Sequence, residues 1–514
     1  MRMRLGGCFV LSTCLLVLDV GVAQERPNGT VVIPRTWDDA EIARHEVPLA
    51  VAAASPKHVS ADYYYRIPVR PIYKSYPVYA HGREPAGYLD WLKTQEPVVL
   101  WDDTATAPRL ETDADWIRAG ELVFDAPLVM DVNFAVEDVR SVAWLAHTGA
   151  PVAAGGTLPW FQYVVRKKGV VELGSTSCGF CHTRVDARGR VLKGAQGNLP
   201  IQRAVAFRWR AAAATAPDKG AYTARIRSFL KRLHAAPYLD PDPQDRIDTM
   251  SIDELADLFD EFPPGVAPRQ RGNSFVAIQV PDLIGVRGRR YLDRTGLEIH
   301  RSIADMMRYA AMNQGGHSLA SYAGFVPAAD PELQRLPAPE QFSRYSDEQL
   351  YALARYIYAL EPPPNPNRVD ALAARGQEVF ENEGCARCHR PPLYTNNKLT
   401  PAIGFTVPDD HRARFDVMSR SVGTDPELAL RTRRGTGYYK VPSLKGVWYR
   451  GMFGHSGWAA TLEDWFDPRR LRDDYVPTGW KPFGARTYPV KGHQFGLDLS
   501  EADRRALIAF LKTL

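Results

Sequence analysis

The chain has 514 residues but only six cysteines, a formal net charge of only +5, and no long apolar run beyond its first residues. Each shortage excludes something. Charge so nearly balanced and so evenly spread offers no basic face for a nucleic-acid partner. Without a later apolar run of about 20 residues there is no stable membrane span. Two of the cysteines, Cys8 and Cys14, fall in a segment that reads as an export signal. Arg2 and Arg4 supply its positive end, "CFVLSTCLLVL" its apolar stretch, and "GVA" at 21–23 its small residues, which predicts cleavage after about Ala23. An exported protein of this size could use disulfides, but Cys178, Cys181, Cys385 and Cys388 are all that remain, and none is spare for a disulfide framework.

Those four cysteines occupy two copies of one pattern, "GSTSCGFCHTR" at 174–184 and "NEGCARCHRPP" at 382–392. Two thiols one helical turn apart can add to the two vinyl groups of a single haem. The histidine that follows then lies under the porphyrin and ligates its iron. A zinc ribbon also pairs such knuckles, but about 15–20 residues apart. Here roughly two hundred residues intervene. A redox dithiol belongs in a βαβ context and gives the histidine no task. The pattern predicts two covalently bound c-type haems, with His182 and His389 as proximal iron ligands. Such attachment occurs outside the bacterial cytoplasm, so a periplasmic location is expected.

Three further landmarks repeat in the same order. "GELVF" at 120–124 matches "GQEVF" at 376–380, and "VPDLIGV" at 280–286 matches "VPSLKGV" at 441–447. "SDEQLYALARYIYAL" at 346–360 matches "SEADRRALIAFLKTL" at 500–514, each with a serine N-cap and apolar residues three or four apart. Helix, haem motif, loops and closing helix is the order of a class I cytochrome c domain. The expected fold is therefore mainly α: two tandem class I cytochrome c domains with long loop insertions and an N-terminal extension. The boundaries run as a signal peptide at 1–23, a Tyr/Pro-rich extension at 24–110, domain 1 at 111–360, the linker "EPPPNPN" at 361–367 and domain 2 at 368–514. Domain 1 carries the insertions, one of some fifty residues between Phe124 and Cys178 and another, after His182, that includes "SIDELADLFDEF" at 251–262. "ADYYYRIPVRPIYKSYPVYA" at 61–80 reads as an extended strap across the core.

Two fused domains, "YKVPSLKGVWYRGMFGHSGWAATLEDWF" at 439–466 and the closing helix together resemble the bacterial di-haem cytochrome c peroxidase superfamily. The resemblance runs from about residue 112 to the end. "KGHQFGLDLS" at 491–500 and "YTNNKLTPAIGFTVP" at 394–408 look most like its rubber-oxygenase branch. It implies that the N-terminal haem, on Cys178, Cys181 and His182, meets the oxidant. The C-terminal haem, on Cys385, Cys388 and His389, is implied to be six-coordinate and to relay electrons. Its second ligand is implied to come from the loop before the last helix, where His493 stands. Met418, Met452 and His455 compete, although His455 matches a family turn that lies near the haem edge without ligating.

The chain also departs from that pattern. No histidine follows His182 until His234, and the turn after the first Val-Pro motif, "RGRRYLDRTGLEIH", lacks the tryptophan the peroxidase branch places there, with Tyr291 the nearest aromatic. Candidate catalytic groups beside His182 are Asn198, Asn313, Gln314 and His317. The expectation is a periplasmic di-haem peroxidase that takes hydrogen peroxide at the first haem and electrons from a small donor such as a cytochrome c. A dioxygen-using oxygenase of the rubber-oxygenase type and a plain electron carrier are the alternatives.

Overall fold

A computed structural model describes residues 31–104, 106–129, 133–269, 272–329 and 335–514. The export-signal segment at 1–23 lies outside the described residues. No helix among the described residues is long and apolar enough to cross a membrane.

Four helices carry the repeated frame: α1 (Asp113–Asp125), α2 (Asp347–Ala359), α3 (Ala371–Asn382) and α4 (Glu501–Lys512). Their starts follow from their caps. Thr112 and Asp115 form a capping box on α1, and Ser346 and Gln349 form one on α2. Asp370 and Ser500 each accept a backbone N–H in the first turn of α3 and α4. α1 packs on α2, and α3 packs on α4.

Both pairs cross by the same device. A Cβ added to Gly120 would stand 2.0 Å from the Ala352 carbonyl oxygen, and one added to Gly376 would stand 1.9 Å from that of Ala506. Only glycine allows backbones so close. One turn further on, Phe124 meets Tyr356 at 5.2 Å between ring centres, and Phe380 meets Phe510 at 5.3 Å. The repeated "G…F" of the sequence is thus the crossing point of each helix pair. Between the pairs, 361–367 runs without helix, and Asn365 and Asn367 donate to the Lys512 carbonyl at the end of α4, 2.9 and 3.1 Å away.

The expectation of a mainly α fold needs correction, because the structure is mixed. Strands β1 (Ser75–Tyr79), β2 (Leu128–Val129), β3 (Thr157–Lys167) and β4 (Val170–Ser175) form an antiparallel sheet in the order β1-β3-β4-β2. β3 and β4 are joined by a tight turn whose Gly169 takes a positive φ of 85°. Leu158, Trp160, Phe161, Tyr163 and Val165 are buried and join the largest apolar core, with helices Ile201–Thr215 and Ile252–Asp260 against it. The long stretches between Phe124 and Cys178 and after His182 therefore build this second layer. The strap reading is corrected as well: Ala61–Arg66 is a helix, and 75–79 is the edge strand of the sheet. Tyr64 on that helix stacks on Trp37 at 4.3 Å.

Candidate functional site

Each cysteine motif forms a single turn. Cys178–Cys181 is a single helical turn started by the Ser177 hydroxyl, and Cys385–Arg387 is a single 3₁₀ turn entered through Gly384 at φ 73°. The histidine N–H closes each turn onto the first cysteine's carbonyl, 3.0 Å from His182 to Cys178 and 2.9 Å from His389 to Cys385. His182 Nδ1 lies 2.9 Å from the Pro281 carbonyl, and His389 Nδ1 lies 3.1 Å from that of Tyr394. A carbonyl only accepts, so each Nδ1 carries the proton and each Nε2 keeps its lone pair. Pro442 gives His389 a second backbone contact. The first Val-Pro motif thus orients His182 through Pro281, whereas Tyr394 orients His389.

Burial keeps these rings neutral. It pushes His182 down to about 4 and lowers His389 from its ordinary value. The same burial raises the thiols, Cys178 to about 12 and Cys181 and Cys385 to about 11. A redox dithiol needs the opposite shift, toward the thiolate. Among the described residues, the only grouping with metal-ligand geometry is Glu46, Glu298 and His317, so the two cysteine pairs do not meet in a four-thiolate cluster.

Around the second motif lies a cavity of about 230 Å³. Cys385, Cys388, His389 and His493 line it, and Phe380, Leu507 and Leu511 from α3 and α4 give it an apolar wall. His389 and His493 face each other with ring centres 6.4 Å apart. An iron bonded to one nitrogen of each ring at about 2.0 Å would hold the ring centres about 6.2 Å apart. The residues present therefore fit a haem iron between two imidazoles. Met418, Met452 and His455 also reach this cavity. His455 instead lies over Tyr439, with ring centres 4.7 Å apart.

The His493 loop is held firmly. Buried Arg470 donates to the carbonyls of Val490, Gly492 and His493 at 2.5, 3.0 and 2.8 Å. The His493 N–H donates to Val422 at 2.6 Å, and Trp465 and Phe495 pack edge-on to its ring at 5.3 and 5.2 Å. His493 takes a positive φ of 42°, a strained backbone that only such over-determination sustains. Burial and the nearby His389 hold its imidazole down to about 4.

The candidates near the first motif disperse. Gln314 comes closest, its Nε2 4.0 Å from Cys178 Sγ, on a π-helical turn at Met312–Gly316. Asn313 donates to Tyr309 within its own helix at 2.9 Å. Asn198 bonds both the N–H and the carbonyl of Val185, at 2.9 and 2.8 Å, and so pins a strand. His317 is fully buried in an ionic network, 3.2 Å from Glu298 and 2.7 Å from Arg434. Tyr291 lines a small cavity between the two Val-Pro loops. Two residues of the first site carried no sequence signal. Arg70, from the N-terminal extension, bonds the buried Tyr345 at 3.5 Å, and both lie within electrostatic reach of Cys178. Arg70 belongs to the extension, which has no counterpart in the repeat, and Tyr345 precedes the closing helix outside the repeated stretch.

No protein-family model matches this sequence, and no curated protein does. Among solved structures, a similar chain belongs to the hydrazine synthase of Kuenenia stuttgartiensis, in a form pressurised with xenon. It is 16% identical over 60% of this chain and 92% of its own, with a TM-score of 0.29. A MauG-like protein associated with microbial copper homeostasis is 18% identical over 33% of this chain and 56% of its own, with a TM-score of 0.22. Similarity at this level identifies neither a family nor an activity, so function is argued from the site.

Proposed function

We propose that this chain is a periplasmic di-haem c-type oxidoreductase of peroxidase type. In this reading each Cys-x-x-Cys-His motif holds one haem covalently, in a cytochrome c-like half of the chain. His182 is the proximal ligand of the first, and His389 and His493 are the axial pair of the second. One observation carries the reading: two imidazoles, His389 buried and His493 half-buried, face each other across an apolar cavity at the separation an iron between them needs, beside two cysteines.

Haem iron would supply the electron-transfer and peroxide chemistry. The chain's own contribution is orientation and access. The Pro281 and Tyr394 carbonyls fix the tautomers of His182 and His389, so both present Nε2. Arg470 and Trp465 hold His493 in place, where it would supply a second imidazole to the haem iron held by His389. At the first site, the sequence puts no histidine soon after His182 to play a matching part. Gln314, beside Cys178, offers an amide N–H that can orient a small polar substrate there. The overall step takes one hydrogen peroxide, two protons and two electrons to two waters, with the electrons coming from a small donor cytochrome through the second site.

The test mixes oxidised protein with hydrogen peroxide and reduced protein with dioxygen, and follows the optical spectrum. A rapid change with peroxide, reversed by a reduced donor cytochrome, supports this reading. A change with dioxygen alone supports the oxygenase. If neither reagent alters the spectrum, the electron carrier stands.

A further inference from the structure

The larger cavity has an uneven wall. Its lining includes three cationic side chains, Arg294, Lys440 and Arg450, and no acidic residue. All three also line a second cavity, of about 20 Å³, between the two Val-Pro loops, where Arg289 joins them. The cations therefore gather at one end of an otherwise apolar chamber, at the junction of the two halves.

Protein carboxylates offset this charge only in part: Asp282 and Asp293 act on Arg294, and Asp293 and Glu298 on Lys440. Asp282 is the only carboxylate lining the smaller cavity. It accepts from the Ile284 N–H at 2.8 Å and the Tyr449 hydroxyl at 2.9 Å, and Arg450 stands 3.7 Å away. The other contacts of the cations are to backbone carbonyls. Arg294 donates to Gln279 at 3.2 Å, Lys440 to Tyr291 at 3.4 Å and Arg450 to Ser443 at 3.1 Å, while Arg289 reaches Asp282 and Ile284. A carbonyl completes a hydrogen bond but leaves the charge unbalanced. Burial together with neighbouring arginines lowers Arg294 to about 9 and holds Lys440 well below its usual range. Half-buried cations gathered like this are costly unless an anion joins them.

We propose that Arg294, Lys440 and Arg450, backed by Arg289, are the receptor for the carboxylates of the haem held between His389 and His493. This rests on the reading of that cavity as a haem site and adds which residues set its charge. A ligand with an apolar body and carboxylates at one edge matches an apolar chamber with cations at one end. A free small anion, such as phosphate, has the same charge chemistry without the apolar body.

The experiment is a redox titration of the six-coordinate haem in the loaded, exported protein. A cation beside the haem favours the uncharged ferrous site, so Lys440→Met and Arg294→Met should each shift the potential to more negative values, and Lys440→Arg should restore it. Added inorganic phosphate at constant ionic strength should leave the wild-type potential unchanged. A wild-type potential that tracks phosphate, with the dependence lost in Lys440→Met, would assign the cluster to a free anion and overturn the proposal. Potentials indifferent to both substitutions would overturn it too. Wild-type protein alone gives a further check should the variants fail to load. Carboxylates held by half-buried cations stay ionised, so the potential should be flat from about pH 5 to 7, and a slope there contradicts the assignment. Protein carrying no covalent haem, seen by mass before any titration, would refute the functional reading itself, a separate outcome.

Discussion

Gly376→Ala puts one methyl group at the crossing of α3 and α4. The new Cβ would lie 1.9 Å from the Ala506 carbonyl oxygen and 2.8 Å from the Phe510 Cβ. Neither atom is the free end of a flexible side chain, so the helices themselves must separate. Reaching even tight packing at 3.0–3.4 Å requires them to part by about 1.1–1.5 Å. Overpacking of this kind costs about 3 kcal/mol at the upper end of the usual range, and alanine's better helix propensity returns about 1 kcal/mol. The net loss is about 2 kcal/mol. Urea unfolding followed by far-UV circular dichroism measures it, with the exposed neighbour Gln377→Ala as a control expected within about 0.5 kcal/mol of wild type. Gly120→Ala, where the added Cβ would stand 2.0 Å from the Ala352 carbonyl, should lose a similar amount. An unchanged midpoint for both glycine variants would refute the claim that the two halves share one helix crossing.

Replacing His493 with alanine should convert the second haem from six- to five-coordinate, with the optical signature of a changed spin state, while Met418→Ala and Met452→Ala leave it six-coordinate. Loss of the six-coordinate spectrum in a methionine variant and not in His493→Ala would reverse the ligand assignment. Stability before haem attachment should depend on acid. Burial lowers His182, His455 and His493 to about 4, whereas the unfolded chain takes up those protons near 6.5. The stabilisation is complete above about pH 7 and is lost as the pH falls from about 6.5 toward 4. Urea midpoints of the haem-free chain should drop across that window, and a flat series would contradict the burial of these rings.

What could be read in the sequence was local chemistry. The Cys-x-x-Cys-His order, the serine caps of α2 and α4, and the glycine and phenylalanine of α1 and α3 each lie within a few residues, where spacing translates into geometry. Long-range features were not legible. β3 pairs with β1 across about eighty residues, and nothing in "TLPWFQYVVRK" names its partner. The charged cluster joins Arg289 to Arg450, and Arg70 reaches Tyr345 through folding alone. Asn198, Asn313 and His317 were polar residues near a motif in sequence, yet each side chain bonds a strand, a helix or an ionic network. His493 was legible because its loop precedes the closing helix, but the reason it can hold its strained backbone, the three carbonyls gathered by Arg470, emerged only in three dimensions.

The central claim is that each cysteine motif carries a covalent haem. Intact-mass measurement of the exported protein under denaturing conditions tests it most directly, because thioether-linked haem survives unfolding whereas coordinated metal does not. The account predicts a single species at the mass of the processed chain plus two haems. A mass equal to the bare chain, with zinc recovered from the native protein, would contradict it.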